Sequence, residues 1–357
     1  MAMAERAVME IADLGEAIEW QAEHAARAMA PCTGRVVLAL KAVLDTDTEV
    51  ARRMRDWPGL TLEAAMPLRI AGGIHHLYLT GDAPELGPVY GGEITDQAEV
   101  DAIVAALVEK FDARLAAWLD GPPQTNEAGR SASIMGGLFW LSQVLGPRFE
   151  LNEIGASAGV NTMMERYFYD LGGVQVGPKD SPMRIVPEWR GPPPPAGRVE
   201  IVSIRGCDIT PVDLADPDAA LRLKAYVWAE VTERIARIDA AIALAGEKRP
   251  DLVAQDAGEF VLEMLARPQQ VGVTRVLYHS VMWQYLPPAT RDLIRDAMAA
   301  AGARATLERP LAWVRLETNR QTFRHELTVK FWPGGGEDWV QLSQAHPHGA
   351  WVEWLGN

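Results

Sequence analysis

Apolar residues recur at helical spacing along the first part of the chain. After Thr95-Asp96, an N-cap signal, Val100, Ile103, Val104, Leu107, Phe111, Leu115 and Trp118 follow at three- and four-residue steps. Gly121-Pro122-Pro123 ends that run. Leu60 to Leu79 has a similar period and leads into the turn Gly81-Asp82-Ala83-Pro84. Residues 130–145 predict a further helix, loosened by Gly136-Gly137. The opening MAMAERAVMEIADLGEAIEW is amphipathic and carries acids, so it does not read as a secretory signal. No strand pattern precedes residue 148.

From Pro147 onward, strands and helices alternate. FELNEIG (149–155), RVEIVSIRGCD (198–208), DLVAQDA (251–257) and VTRVLYHSV (273–281) predict strands. Between them, residues 220–245 predict one long helix with Trp228, Val231, Ile235, Ile238 and Ile242 on one face, and GEFVLEMLA predicts another. Residues 289–301 predict a helix ended by Gly302, and four strand-like segments complete the chain. Glycines and prolines interrupt the alternation over 170–197, where an inserted hairpin or long loop is expected. The expected fold class is therefore α/β. Residues 148–357 form a Rossmann-like, mostly parallel sheet closed by an antiparallel C-terminal hairpin, and residues 1–147 form a helical domain packed on it.

Composition narrows the function. Lys and Arg total 34 against 48 Asp and Glu, a formal charge of -14, which argues against general binding to nucleic acid or anionic membrane. No apolar run approaches the ~20 residues of a membrane span. Cys32 and Cys207 are the only cysteines, too few for a disulfide framework, so a cytoplasmic setting is expected. Trp is over-represented, 12 against 7 Phe and 7 Tyr, and most are expected to pack cores and junctions.

The most informative segment is Glu153-Ile-Gly155-Ala156-Ser157-Ala-Gly159, where a strand is expected to run through a glycine loop into a helix. Such a junction binds nucleotides at the carboxyl ends of strands in doubly wound folds. Ser157 stands where a dinucleotide fingerprint has its middle glycine, which disfavours a pyrophosphate. Three later strand ends add Asp208, Asp256-Ala257 and the segment Tyr278–Pro287.

In this order the segments resemble the class I S-adenosylmethionine-dependent methyltransferases. The resemblance implies S-adenosylmethionine as cofactor. Glu153, Gly155, Ala156, Ser157 and Gly159 would face its methionine part, Asp208 the ribose hydroxyls, and Asp256 with Ala257 the adenine. The segment after the fourth strand would flank the transferable methyl. Two departures stand out. Glu153 and Asp208 lie much further apart than the ~20 residues expected for a ribose acid. The Asp/Asn-Pro-Pro-Tyr signature of amino-group methylation is missing, which leaves the acceptor, a small molecule, undefined. From about residue 15 to the C-terminus the chain also resembles the bacterial domain-of-unknown-function family DUF2332. That likeness rests on QTNEAGRS (124–131), EIGASAG (153–159), HSVMWQYL (279–286) and HPHGAWVEW (346–354).

Other residues complete the expected site. His279 lies at a strand's carboxyl end and is suited to take a proton near neutral pH, and Glu127 is a second candidate base. Asn126 and Arg130 are candidate substrate contacts, Arg130 for a carboxylate. Trp283 and Tyr285 are candidates to enclose a sulfonium or an aromatic substrate. His75-His76 and His346-Pro-His348 lack the partners of a metal site, so no metal is expected. Two alternatives stand beside methyl transfer. One is a non-catalytic binding module on the same fold. The other is a hydrolase whose Gly155-x-Ser157-x-Gly159 forms a nucleophile elbow, with His346 or His348 as base.

Overall fold

A computed structural model describes residues 13–58, 65–121 and 123–356. The chain divides into two compact units. One takes the chain up to Thr125 and adds Asp216–Ala236; the other takes Asn126–Ala215 and Arg237 onward.

The first unit is helical. Its helices are α1 (Leu14–Arg27), α2 (Pro31–Leu38), α3 (Leu40–Val43), α4 (Glu49–Arg55), α5 (Met66–Leu79), α6 (Gly87–Tyr90), α7 (Gln97–Lys110) and α8 (Asp112–Ala116). Their apolar stripes meet in one core that includes Ile18, Leu40, Met54, Ile70, Ile74, Val104 and Leu115. Asp96 caps α7 as its position predicts, accepting from the Glu99 N–H at 3.0 Å. The run expected to reach Trp118 unbroken instead stops at Lys110 and restarts as α8. The break has a reason. Asp112, at the start of α8, accepts from the N–H groups of Glu49 and Val50 at 2.7 and 2.9 Å and so satisfies the first turn of α4. Residues 60–64 of the expected Leu60–Leu79 helix, Pro122 of the stop signal, and the opening segment up to residue 12 lie outside the described residues.

The long helix expected over 220–245 is two helices, α10 (Pro217–Ala225) and α11 (Thr232–Glu247). The linker carries Glu230, whose carboxylate accepts from the Cys32 and Thr33 N–H groups and the Thr33 hydroxyl at the start of α2. Ahead of it, Tyr226 and Ala225 pack on Trp118, and His75 Nδ1 lies 3.0 Å from the Ala225 carbonyl oxygen. These contacts place Asp216–Ala236 in the helical unit, although it follows the second main strand in sequence.

The second unit begins with α9 (Ser131–Leu145), which the sequence reading grouped with the N-terminal helices. It is apolar nearly all round and packs on the large sheet, with Gly137 lying against Val314, Leu327 and Val329. That sheet has nine strands: β1 (Arg148–Ile154), β5 (Glu188–Arg190), β6 (Glu200–Asp208), β7 (Leu252–Ala254), β8 (Thr274–Ser280), β9 (Leu311–Thr318), β10 (His325–Trp332), β11 (Val340–Ala345) and β12 (Trp351–Trp354). Their order is β5-β12-β11-β10-β9-β8-β1-β6-β7. Neighbours from β7 through β9 run parallel, and β9 through β12 form an antiparallel meander. This is a mixed, Rossmann-like α/β sheet.

The outer edge differs from the expected terminal hairpin. β12 is covered by β5, a parallel strand supplied by the insertion. The rest of the insertion forms a small sheet of β2 (Phe168–Leu171), β3 (Val174–Val176) and β4 (Arg184–Ile185). α12 (Ala257–Ala266) and α13 (Pro288–Gly302) join Ile154, Leu277, Leu311 and Trp313 in a second apolar cluster. Trp313 and Val314 alternate along β9, so this cluster covers the sheet face opposite α9. No helix among the described residues is long and apolar enough to cross a membrane.

Candidate functional site

From β1 the chain builds outward to β6 and β7 on one side and to β8 and β9 on the other. In open α/β sheets, the crevice at such a reversal, outside the carboxyl ends of the strands, is where ligands bind.

The loop after β1 has three left-handed residues: Gly155 at φ 67°, Ser157 at 53° and Gly159 at 70°. Serine has no glycine-like freedom there, and the conformation costs of order 1–2 kcal/mol. It is held from two sides. The Ser157 N–H donates to Asp208 Oδ2 at 2.9 Å, and the Ser157 carbonyl accepts from the Val212 N–H at 3.1 Å. Asp208 Oδ1 accepts from the Thr210 N–H at 3.0 Å. The acid expected to read a ribose is thus already spending one acceptor site per oxygen on backbone, with further lone pairs remaining on each. Ala156 is fully buried, and its N–H donates to the Cys207 carbonyl at 2.9 Å. The helix expected after the loop is only a 3-10 turn, Asn161–Arg166.

Glu153 stands behind the loop. It is 2% exposed and accepts from the Tyr278 hydroxyl at 3.1 Å. Burial pushes its carboxyl up to about 8, against the opposing pull of that hydrogen bond. It is therefore a largely protonated support rather than a contact surface. Asp256 is the N-cap of α12, accepting from the Gly258 and Glu259 N–H groups at 2.8 and 3.3 Å, and Ala257 is the buried first residue of that helix. A structural role accounts for both.

His279 follows Tyr278 on β8 and therefore points to the opposite sheet face. Glu153 with Tyr278 and His279 with its partners are two separate constellations. The His279 ring is fully buried, with Nδ1 2.6 Å from Glu317 Oε1. The same oxygen accepts from the Met282 and Trp283 N–H groups at 3.2 and 3.3 Å. Nε2 has no hydrogen-bond partner. Trp283 stacks on the imidazole at 5.1 Å between centroids, and Trp313 meets it edge-on at 6.1 Å. Between His279 and Trp283 in sequence, Val281 takes φ 52°, a strained value for a β-branched residue. Trp283 already has His279 on its ring and the Arg295 guanidinium 5.6 Å away, and Tyr285 is 62% exposed, so the pair does not form an aromatic enclosure.

The 124–130 segment, which offers Glu127 as a candidate base and Asn126 and Arg130 as candidate substrate contacts, is engaged in contacts within the fold. Glu127 Oε1 pairs with Arg237 at 2.9 Å and accepts from the Gly129 N–H at 3.2 Å, a structural engagement of the candidate base. Arg130 Nε donates to the Pro347 carbonyl at 2.8 Å, and Arg237 donates to that of His348 at 3.3 Å. Asn126 Oδ1 accepts from the Val160 N–H at 2.8 Å and braces the glycine loop. The hydrolase alternative lacks its base contact: Ser157 Oγ is buried without a hydrogen-bond partner. His346 Nδ1 instead accepts from the His348 N–H at 3.2 Å. Among the described residues no three His, Cys, Asp or Glu side chains cluster as a metal site would require.

Sequence reasoning missed Glu317, Arg237 and Glu230. Each acts on a partner distant in the chain, and no local spacing marks it. No curated protein and no solved structure matches the chain. Residues 15–354 match the model of a family described as uncharacterized protein conserved in bacteria, and the chain belongs to that family, DUF2332.

Proposed function

We propose that this protein binds S-adenosylmethionine at the carboxyl ends of β1, β6 and β7 and directs methyl transfer to a small-molecule acceptor. One observation carries the reading: at the strand-order reversal, a loop with three left-handed residues is tied through Ser157 to the acid at the end of β6. The residues present fit the cofactor's chemistry. Ser157 Oγ is a buried polar atom lacking a partner at the loop where the methionine part would lie. Lone pairs left on Asp208 suit ribose hydroxyls. The loop leads into a 3-10 turn, so it lacks the α-helix N-terminus that favours a pyrophosphate, and a phosphate-free cofactor is the better match.

S-adenosylmethionine, when bound, supplies an electrophilic methyl group. The chain's own part is to hold, orient and exclude water, which is most of what methyl transfer requires. Gly155 and Gly159 give the loop its left-handed turns, Asp208 would orient the ribose, and His279 would accept a proton where the acceptor must lose one. Calorimetric titration with S-adenosylmethionine and with its demethylated product should each show saturable binding. Binding of NAD or ATP in place of both would defeat the proposal.

A further inference from the structure

The second constellation, on the α12 and α13 face of the sheet, has its own chemistry. A carboxylate only accepts, so the contact between Glu317 and His279 assigns the imidazole proton to Nδ1. Glu317 is itself fixed by the Met282 and Trp283 N–H groups, so the ring is held in both tautomer and orientation. In the neutral tautomer with its proton on Nδ1, the lone pair lies at Nε2, which is buried and has no hydrogen-bond partner. Trp313, edge-on to this ring, has a buried Nε1–H that also lacks a partner. An unmet acceptor and an unmet donor thus share one aromatic cluster. A hydroxyl group supplies what each lacks, giving its proton to Nε2 and accepting from Nε1–H.

We infer that His279 and Glu317 form a proton-accepting dyad for a hydroxyl-bearing acceptor, an alcohol or phenol, with Glu317 as the positioning residue. This names the acceptor class for the methyl transfer proposed above and rests on that reading. In the step, the acceptor O–H bond breaks, an Nε2–H bond forms, and the resulting imidazolium is paired with the Glu317 carboxylate. The oxygen keeps the electron pair and becomes the nucleophile. Trp339 meets Trp313 edge-on at 5.1 Å, and Arg315, 3.7 Å over Trp339, and Arg295, 5.6 Å over Trp283, border the same cluster with positive charge. Trp283 covers the imidazole, so an acceptor enters when the Trp283 ring swings aside while its backbone N–H stays on Glu317.

The dyad is tested with 4-nitrophenol, whose anion absorbs in the visible, at a pH below the phenol's own pKa. The wild-type protein should give a saturable phenolate band. His279→Gln should abolish it, Glu317→Ala should weaken it about tenfold, and Glu317→Asp should restore part of it. No band in the wild type, or an undiminished band in His279→Gln, overturns the proposal. Nitrogen NMR of the histidine-labelled wild-type protein provides a check that needs no substitution: His279 should be the Nδ1–H tautomer, and an Nε2–H tautomer overturns it equally. Neither measurement uses S-adenosylmethionine, so failure here is distinguishable from failure of the cofactor titration.

Discussion

The Ser157 N–H lies 2.9 Å from Asp208 Oδ2, and this single hydrogen bond joins the loop after β1 to the end of β6. One end of it is a left-handed non-glycine residue; the other is a carboxylate that also holds the Thr210 N–H. Removing the carboxylate therefore releases two backbone donors and the strain together. Asp208→Ala should destabilise the protein by about 2 kcal/mol and weaken S-adenosylmethionine binding about tenfold or more. Ser157→Gly should stabilise it by up to ~1 kcal/mol, since glycine adopts this backbone without strain. Urea unfolding of both variants beside calorimetry decides the matter. An Asp208→Ala protein as stable as wild type would show that the loop holds itself.

Glu153 gives a pH signature. Burial raises its folded pKa to about 8 from the ordinary 4.5, so between those values the folded state binds more protons than the unfolded chain. Its contribution is fully present at low pH and is lost as pH rises through the folded value. Glu153→Gln keeps a hydrogen-bond acceptor for Tyr278 and cannot ionise. The variant should gain stability relative to wild type as unfolding is measured at about pH 5 and then about pH 8. A gap that stays constant between those two pH values would mean the carboxylate is already ionised in the fold.

Glu127 and Arg237 are 4% and 18% exposed. Glu127→Ala leaves a guanidinium largely buried beside the 346–349 turn and should cost about 3–5 kcal/mol, read by thermal or urea unfolding. At temperatures where the variant stays folded, affinity for S-adenosylmethionine should be unchanged. A selective loss of affinity with stability intact would return Glu127 to the functional site.

Gly155→Ala meets two obstacles. The backbone is left-handed, and the added Cβ would lie 2.7 Å from Met282 Cε. Met282 is flexible and can yield part of the space, so a loss of about 1–3 kcal/mol is expected, with the His279 loop displaced through Met282. Comparison of histidine NMR shifts in the variant and wild type reads that displacement; identical His279 shifts would argue that the two loops are uncoupled.

Much of the sheet is legible in the chain. The segments 149–155 and 273–281 contain β1 and β8, which the sheet buries on both faces: Phe149, Leu151, Ile154, Val276 and Leu277 are buried, and so are the polar Asn152, Glu153 and Arg275. Strand-end acids are a different case. Asp208 and Asp256 sit where ligand contacts would, yet the same positions cap turns and helices, and residue type alone does not separate the two uses. The break between α10 and α11 was hidden for another reason. Helical periodicity runs through it, and only Glu230, reaching back to Cys32 and Thr33, shows why the chain turns there. QTNEAGRS and HPHGAWVEW, unremarkable in local pattern, interlock through space: a Cβ on Gly349 would lie 2.4 Å from Gly129 Cα.

Both margins of the nine-stranded sheet are three residues long, Glu188–Arg190 on one side and Leu252–Ala254 on the other. Short margins give a foreign strand little backbone to pair with, and the charges of Glu188 and Arg190 oppose it further. The insertion thereby acts as a guard against aggregation. Without β5, β12 would become the terminal strand, and Trp351 and Trp354 would sit on an open ladder of hydrogen-bonding groups, the kind of surface on which copies of a chain polymerise.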